Sequence, residues 1–259
     1  MIKIALPEYD DPIIKQAVSE VDDVDPVSCE DLAAAATAVK AGVADALVAG
    51  INYTSRDVIL ACRDIIGMKE KTFSASFWMK DNQGEFGQEY IIGDAAACKN
   101  PTELQLFDIV LQTYHTAKKL LNVEPRVAIL SFSTLGSGGT DPSLDRAKVV
   151  IEKIHAMYSD IKIDGELQLD AAVNPRVAEK KAPGSKVAGK ANVLIAPDLN
   201  SGNILYKAME QFGGMAAAGP ILQGFNAPAS DLSRGSTVED VKLVFEAIKR
   251  LSVSSRVEN

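Results

Sequence analysis

Short, nearly continuous apolar runs alternate along this chain with stretches whose apolar residues recur every three or four positions, and that alternation permits few folds. The runs are IKIAL (2–6), ADALVA (44–49), TFSASFW (72–78), QEYII (88–92), RVAILSF (126–132), NVLIA (192–196) and GPILQG (219–224). Several lack the polar alternation of a half-solvated strand, as expected of strands covered on both faces. Between them Leu104, Phe107, Leu111, Tyr114 and Leu121 mark one long helix, and Leu144, Ala147, Ile151, Ile154 and Tyr158 mark another. The expected class is α/β, with no internal repeat or low-complexity linker.

Composition excludes more than it selects. A length of 259 residues fits one large domain or two smaller ones. The net charge of −8 argues against a nucleic-acid or anionic-membrane surface, both of which need clustered Lys and Arg. No run reaches the roughly 18 apolar residues of a bilayer span. The opening MIKIALPEYDD lacks the basic and apolar regions of a secretory signal, so cytoplasm is the expected location. Cys29, Cys62 and Cys98 are scattered and odd in number, which fits neither a disulfide framework nor a zinc site. His115 and His155 both fall in helical patterns, and no HxxxH, HExxH or GxSxG occurs. Metal hydrolysis and Ser-His hydrolysis are therefore poorly supported, and no metal is expected.

Three strand exits carry small and polar residues: GINYTSRD (50–57), SFSTLGSGGTDPS (131–143) and PDLNSGNILYK (197–207). In α/β proteins ligands gather beyond the carboxyl ends of strands, where helix N-termini offer unpaired N–H groups and glycines allow close approach. Each exit alone is equally well a tight strand-to-helix turn. Together they point to a phosphate-bearing ligand, with Thr54, Ser55, Arg56, Ser133, Thr134, Gly136, Ser137, Asn200, Gly202 and Asn203 as the candidate binding residues.

Near the C-terminus, SDLSRGSTVED (230–240) precedes an amphipathic helix. Ser236 and Glu239 have the spacing of a capping box. At 100° per residue Val238, Val241, Val244, Phe245, Ile248 and Leu251 share one face, with Lys242, Glu246, Lys249 and Arg250 opposite. Asp240 borders the apolar stripe. It either complements the helix dipole or points at something beside the core. Ser233 and Arg234 have no role in a cap.

From residue 164 onward, DGELQLDAAVNPRVAEKKAPGSKVAGKANVLIAPDLNSGNILYK and then GPILQGFNAPASDLSRGSTVEDV resemble the C-terminal half of phosphotransacetylases (phosphate acetyltransferases). The likeness begins by PRVAILSFSTLGSG at 125 and continues to about 245. Butyryl-specific relatives in the wider phosphate acetyl/butyryltransferase family lack DLSRG, which favours the acetyl branch. The resemblance implies a cytoplasmic, homodimeric enzyme that exchanges an acetyl group between phosphate and coenzyme A, the latter a substrate rather than a bound cofactor. It implies two three-layer α/β domains with a cleft between them, of the isocitrate/isopropylmalate dehydrogenase-like kind. The first domain would be 1–67 with 229–259 and the second 68–228. A dehydrogenase itself is disfavoured because G-x-G-x-x-G is absent. By the same resemblance Ser233 hydrogen-bonds the reacting carbonyl, Arg234 holds the phosphoryl group and Asp240 is the base for the coenzyme A thiol.

The N-terminal part departs from that pattern. IALPEYDDPIIKQA and VKAGVADALVAG match, but several dozen intervening residues, with a phosphate-binding arginine, are replaced by VSEVDDVDPVSCEDLAAAATA. A second family arginine falls on Leu60, with Arg56 and Arg63 on the same helical face, and Arg56 is the expected substitute. The usual lysine of STKGS is Leu135. Each lost charged donor to a phosphate is worth about 1.5–3 kcal/mol, so a non-catalytic homologue that binds coenzyme A or an acyl phosphate is the alternative expectation.

Overall fold

A computed structural model describes residues 1–81 and 88–255. From the N-terminus run β1 (Ile2–Leu6), α1 (Pro12–Ser19), β2 (Val24–Ser28), α2 (Leu32–Lys40), β3 (Ala46–Ala49) and α3 (Ser55–Ala61), which passes into a π-helical turn at Cys62–Ile66. Next come β4 (Ser74–Lys80), β5 (Tyr90–Gly93), α4 (Glu103–Leu120), β6 (Arg126–Leu130), α5 (Pro142–Met157) and β7 (Lys162–Leu167). The rest comprises α6 (Leu169–Val173), α7 (Pro175–Lys181), β8 (Val193–Ile195), α8 (Leu199–Gln211), β9 (Ala216–Gln223), β10 (Ala229–Asp231) and α9 (Val238–Ser255). Two compact units result, Met1–Phe77 with Ala216–Asn259 and Trp78–Met215. These divisions differ from 67/68 and 228/229, because β9 pairs antiparallel with β10 through Leu222 opposite Ala229 and Ile221 opposite Ser230. Both units are α/β.

In the first unit β2, β1, β3 and β10 lie side by side in parallel. All four residues of β3 are buried, as the apolar run 44–49 predicts for a strand covered on both faces. Helix α2 packs on β1 and β3, while α1 packs on α9. Helix α9 buries Val241, Val244, Phe245, Ile248 and Leu251, the face read from its periodicity. Each such side chain contributes roughly 1.5–3 kcal/mol by leaving water.

In the second unit β5, β8, β6 and β7 are again parallel neighbours. The α4 stripe is offset from the expected one. Leu106, Ile109, Val110, Tyr114, Ala117 and Leu120 are buried, whereas Leu104 is exposed. The helix contacts β5 and β8 on one side and α5 on another, so its buried arc is wider than a single 3-4 ladder.

Three strands escape the apolar-run reading. β2 (VDPVS) is an edge strand of the first unit and β7 (KIDGEL) an edge strand of the second, where polar residues and a proline are tolerated. β10 has only three residues. Among the described residues no helix is long and apolar enough to cross a membrane.

Candidate functional site

Parallel pairing brings the carboxyl ends of β1, β3 and β10 to one edge of the first unit, and the loops there are organised by buried acids. Glu8, after β1, accepts the backbone N–H groups of Gly50 (2.7 Å), Ile51 (3.2 Å) and Asn52. A single side chain thus shapes the whole β3 exit. Thr54 then caps α3: its hydroxyl accepts the Asp57 N–H at 3.2 Å and donates to the Asp57 carboxylate at 2.6 Å. Ser55 and Arg56 follow as the first exposed residues of the helix. Arg56 makes no ion pair among the described residues, whereas Arg63 is forked onto Asp64 at 2.7 and 3.1 Å. Of the two arginines beside Leu60, Arg56 is the one left open to an anion.

The β10 exit carries Ser233, Arg234 and Gly235, all exposed. The turn is held from within, by the Ser233 N–H donating to the Ser236 hydroxyl at 3.1 Å and the Gly235 N–H to the Ser233 hydroxyl at 3.2 Å. The expected Ser236–Glu239 capping box is displaced by one residue. Thr237 caps α9, accepting the Asp240 N–H at 3.3 Å while the Asp240 Oδ2 accepts both the N–H and the hydroxyl of Thr237 at 2.8 Å. Ser236 is occupied by Ser233, and Glu239 pairs with Lys242. Half of the Asp240 carboxylate therefore serves the cap.

Asp231, at the end of β10, went unremarked in the sequence although it stands two residues before Ser233. It is 3% exposed. Burial pushes its carboxyl up to about 6, the neighbouring Ser55 side chain opposes the rise and Glu8 adds to it. Across from it Gly50 has φ +127°, and a Cβ there would lie 2.5 Å from Asp231 Oδ1 and from the Leu232 backbone. Only glycine admits this approach of β3 to β10.

The second unit repeats the device. At the β6 exit the Ser133 hydroxyl is buried and donates to Glu166 Oε1 at 2.9 Å, which also accepts the Gly136 N–H at 2.6 Å. The Ser137 hydroxyl accepts the Thr134 N–H at 3.0 Å, and the Thr134 hydroxyl donates to Gln168 at 3.2 Å. Several donors that sequence reasoning offered to a ligand are thus engaged with this loop and with Glu166. Leu135, with φ 47°, stands half exposed on its surface. After β5, Asp94 accepts the N–H groups of Ala96, Ala97 and Cys98. At the β8 exit Asp198 caps α8 through the Ser201 N–H. Gly202 is buried with the Asp94 carbonyl 2.3 Å from where a Cβ would stand, so its place is a packing contact. Asn203 donates weakly to the Ala95 carbonyl at 3.4 Å, and Asn200 is exposed. His155 is bonded to the Ile163 carbonyl at 3.2 Å. Among the described residues no group of three or more metal-ligating side chains occurs.

The family model described as "Phosphate acetyl/butaryl transferase" matches residues 12–248. A phosphate acetyltransferase of Clostridium acetobutylicum is 44% identical over 211 residues, covering 80% of this chain. This chain covers 63% of that relative's length. A phosphotransacetylase structure from Streptococcus pyogenes superposes with a TM-score of 0.88 at 29% identity, covering 98% of this chain and 94% of the other. A 4-hydroxythreonine-4-phosphate dehydrogenase structure from Klebsiella pneumoniae has a TM-score of 0.55 at 11% identity, over 85% of this chain and 68% of the other, and shares the fold alone.

Proposed function

The chain belongs to the phosphate acetyl/butaryl transferase family, and from that premise we propose that it exchanges an acetyl group between phosphate and coenzyme A. The supporting observation is the family match, which runs through the DLSRG turn and past Asp240. In the forward sense the coenzyme A sulfur attacks the acetyl carbonyl carbon of acetyl phosphate. The carbon–sulfur bond forms, the carbon–oxygen bond to phosphate breaks, and inorganic phosphate leaves with the bonding pair.

Arg234 grips the phosphoryl oxygens with its fork of donors. Arg56 is a second cation on the same unit, standing in for the family arginine that falls on Leu60. Ser233 donates to the carbonyl oxygen as charge develops there. Asp240 takes the thiol proton on Oδ1, since Oδ2 is given to Thr237. An ordinary thiol and an ordinary carboxylic acid differ by roughly 6 kcal/mol of proton-transfer energy. The proton therefore leaves as the carbon–sulfur bond forms rather than before it. Coenzyme A is a substrate in this reading, and no resident cofactor is required.

A homodimer is part of the proposal. Of the thirteen residues of α8 only Gly202 is buried. Ile204 in the helix and Phe212 just after it are 67% and 92% exposed. A second copy is the simplest cover for such a surface. The expected location is the cytoplasm.

The test follows thioester formation from coenzyme A with acetyl, propionyl and butyryl phosphates. Acetyl transfer that falls by about one to two powers of ten in Arg234→Ala supports the reading, and Ser233→Ala is expected to slow turnover by a comparable factor. Turnover indifferent to both substitutions would remove the proposed site. Binding of coenzyme A without transfer to any acyl phosphate would instead identify a non-catalytic homologue.

A further inference from the structure

We propose that Glu8 is a positioning residue: its carboxylate is a built-in anion that fills a nest of backbone N–H groups at the β3 exit and so fixes the arm carrying Thr54, Ser55 and Arg56. The proposal rests on the acetyl-transfer reading for the identity of the ligand and on the first unit alone for its geometry.

Glu8 stands two residues beyond β1 and is buried. Its Oε2 accepts the N–H groups of Gly50 at 2.7 Å and Ile51 at 3.2 Å, and its Oε1 accepts that of Asn52. Consecutive N–H groups converging on one point form the kind of concavity in which proteins bind phosphate. Here the chain supplies the anion itself. The donors lie 42 to 44 residues further along the chain. The contact is therefore unlike the local turn in which Asp94 accepts Ala96, Ala97 and Cys98. It ties the exit of β1 to that of β3.

Other bonds complete the clamp. The Asn52 side-chain amide donates to Asp11 Oδ2 at 3.3 Å, just before α1. On the other side of β3 the Leu232 N–H, at the β10 exit, donates to the Ala49 carbonyl at 2.6 Å. The chain leaving β3 is thus held from β1 and from β10 alike, in register with the strand that launches Ser233 and Arg234. Only then does the arm begin, with Thr54 capping α3 through Asp57.

The acids near the arm are engaged with groups other than Arg56. Glu8 is taken by the nest, Asp57 by Thr54, Asp11 by Asn52 and the Ile13 N–H, and Asp10 by Lys15. Arg56 is left without an ion pair among the described residues. Because α3 has its own cap, Glu8 is not needed to start the helix. Burying a carboxylate costs free energy that its hydrogen bonds must offset, and an uncharged turn would join β3 to α3 without that cost. What Glu8 adds is a fixed place for Arg56. It also commits the backbone donors of this exit, so a ligand phosphate is left to the arginine side chains.

Glu8→Gln presents an NH2 group to the nest in place of one oxygen. It is expected to raise KM for acetyl phosphate about tenfold, with kcat falling by less. Combined with Arg56→Ala it should be no worse than Arg56→Ala alone, as a residue acting through another requires. Additive effects, or a KM unchanged in Glu8→Gln, would overturn the proposal.

Hydrogen exchange without substrate separates this proposal from the functional reading. In Glu8→Ala the amides of Asp57 and Val58, which bond Thr54 and not Glu8, should exchange faster, while those of residues 244–248 in α9 do not. Sodium formate should restore slow exchange by filling the vacated nest, and sodium chloride at the same ionic strength should not. That pattern supports the positioning role even if the wild-type protein transfers no acetyl group, a result that would count against the functional reading alone. Exchange at Asp57 and Val58 that is unchanged, that rises equally in α9, or that formate does not slow overturns the positioning role whatever the turnover. If Glu8→Ala does not fold, the kinetics and exchange of Glu8→Gln decide the matter.

Discussion

Replacing Asp231 with asparagine should stabilise the protein at neutral pH, by an amount that shrinks as the pH falls into mild acid. The carboxyl is held at about 6 in the folded chain against an ordinary 3.8. The folded state therefore binds this proton more tightly than the unfolded state does. Between the two values the unfolded chain has already released its proton, so stability falls as pH rises through that window and levels off above about 6. A gap of about two pH units at roughly 1.4 kcal/mol each makes the wild-type loss about 3 kcal/mol. Asparagine does not titrate, so it escapes the loss. The gain near neutral pH is about 3 kcal/mol, and it shrinks toward zero as pH falls toward about 4. Urea unfolding of both proteins from about pH 5 to about pH 8 measures the difference directly. The comparison cancels the surface carboxylates that titrate alike in both chains, such as Asp23 with Lys249 and Glu20 with Lys242. A difference in unfolding free energy that stays constant across the range would refute the argument, because it would mean that Asp231 has the same proton affinity folded and unfolded.

Gly50→Ala should cost about 3 kcal/mol, combining a positive φ with a Cβ forced against Asp231 and Leu232, as read from denaturant midpoints. Thr237→Ala and Asp240→Ala should each lose about 1 kcal/mol of stability with the α9 cap, but only Asp240→Ala should also abolish most acetyl transfer. Equal turnover in the two would deny Asp240 any role beyond the cap. Ile204→Glu with Phe212→Glu should convert a dimer to a monomer in sedimentation, and an unaltered mass would place the self-association surface elsewhere.

The sequence by itself determined the class of fold, because the physics of strands covered on both faces leaves an unmistakable trace in runs such as ADALVA and NVLIA. It likewise determined the buried face of α9, whose period is local. The outermost strands were silent, since at a sheet edge neither face need be apolar and Pro26 of β2 is harmless there. The family signature placed Ser233, Arg234 and Asp240 at one turn and helix start, a local fact. It did not reveal how those groups are held. Glu8 and Gly50–Asn52, Asp231 and Gly50, and Glu166 with Ser133 and Gly136 are far apart or unpatterned in the chain. They meet only because parallel pairing carries the carboxyl ends of β1, β3 and β10, and those of β6 and β7, to the same edge of their unit. In one dimension a carboxylate after a strand reads as an ordinary solvated loop charge. Whether it is solvated or buried against backbone N–H groups depends on which strand lies beside it, and that was decided by the tertiary structure.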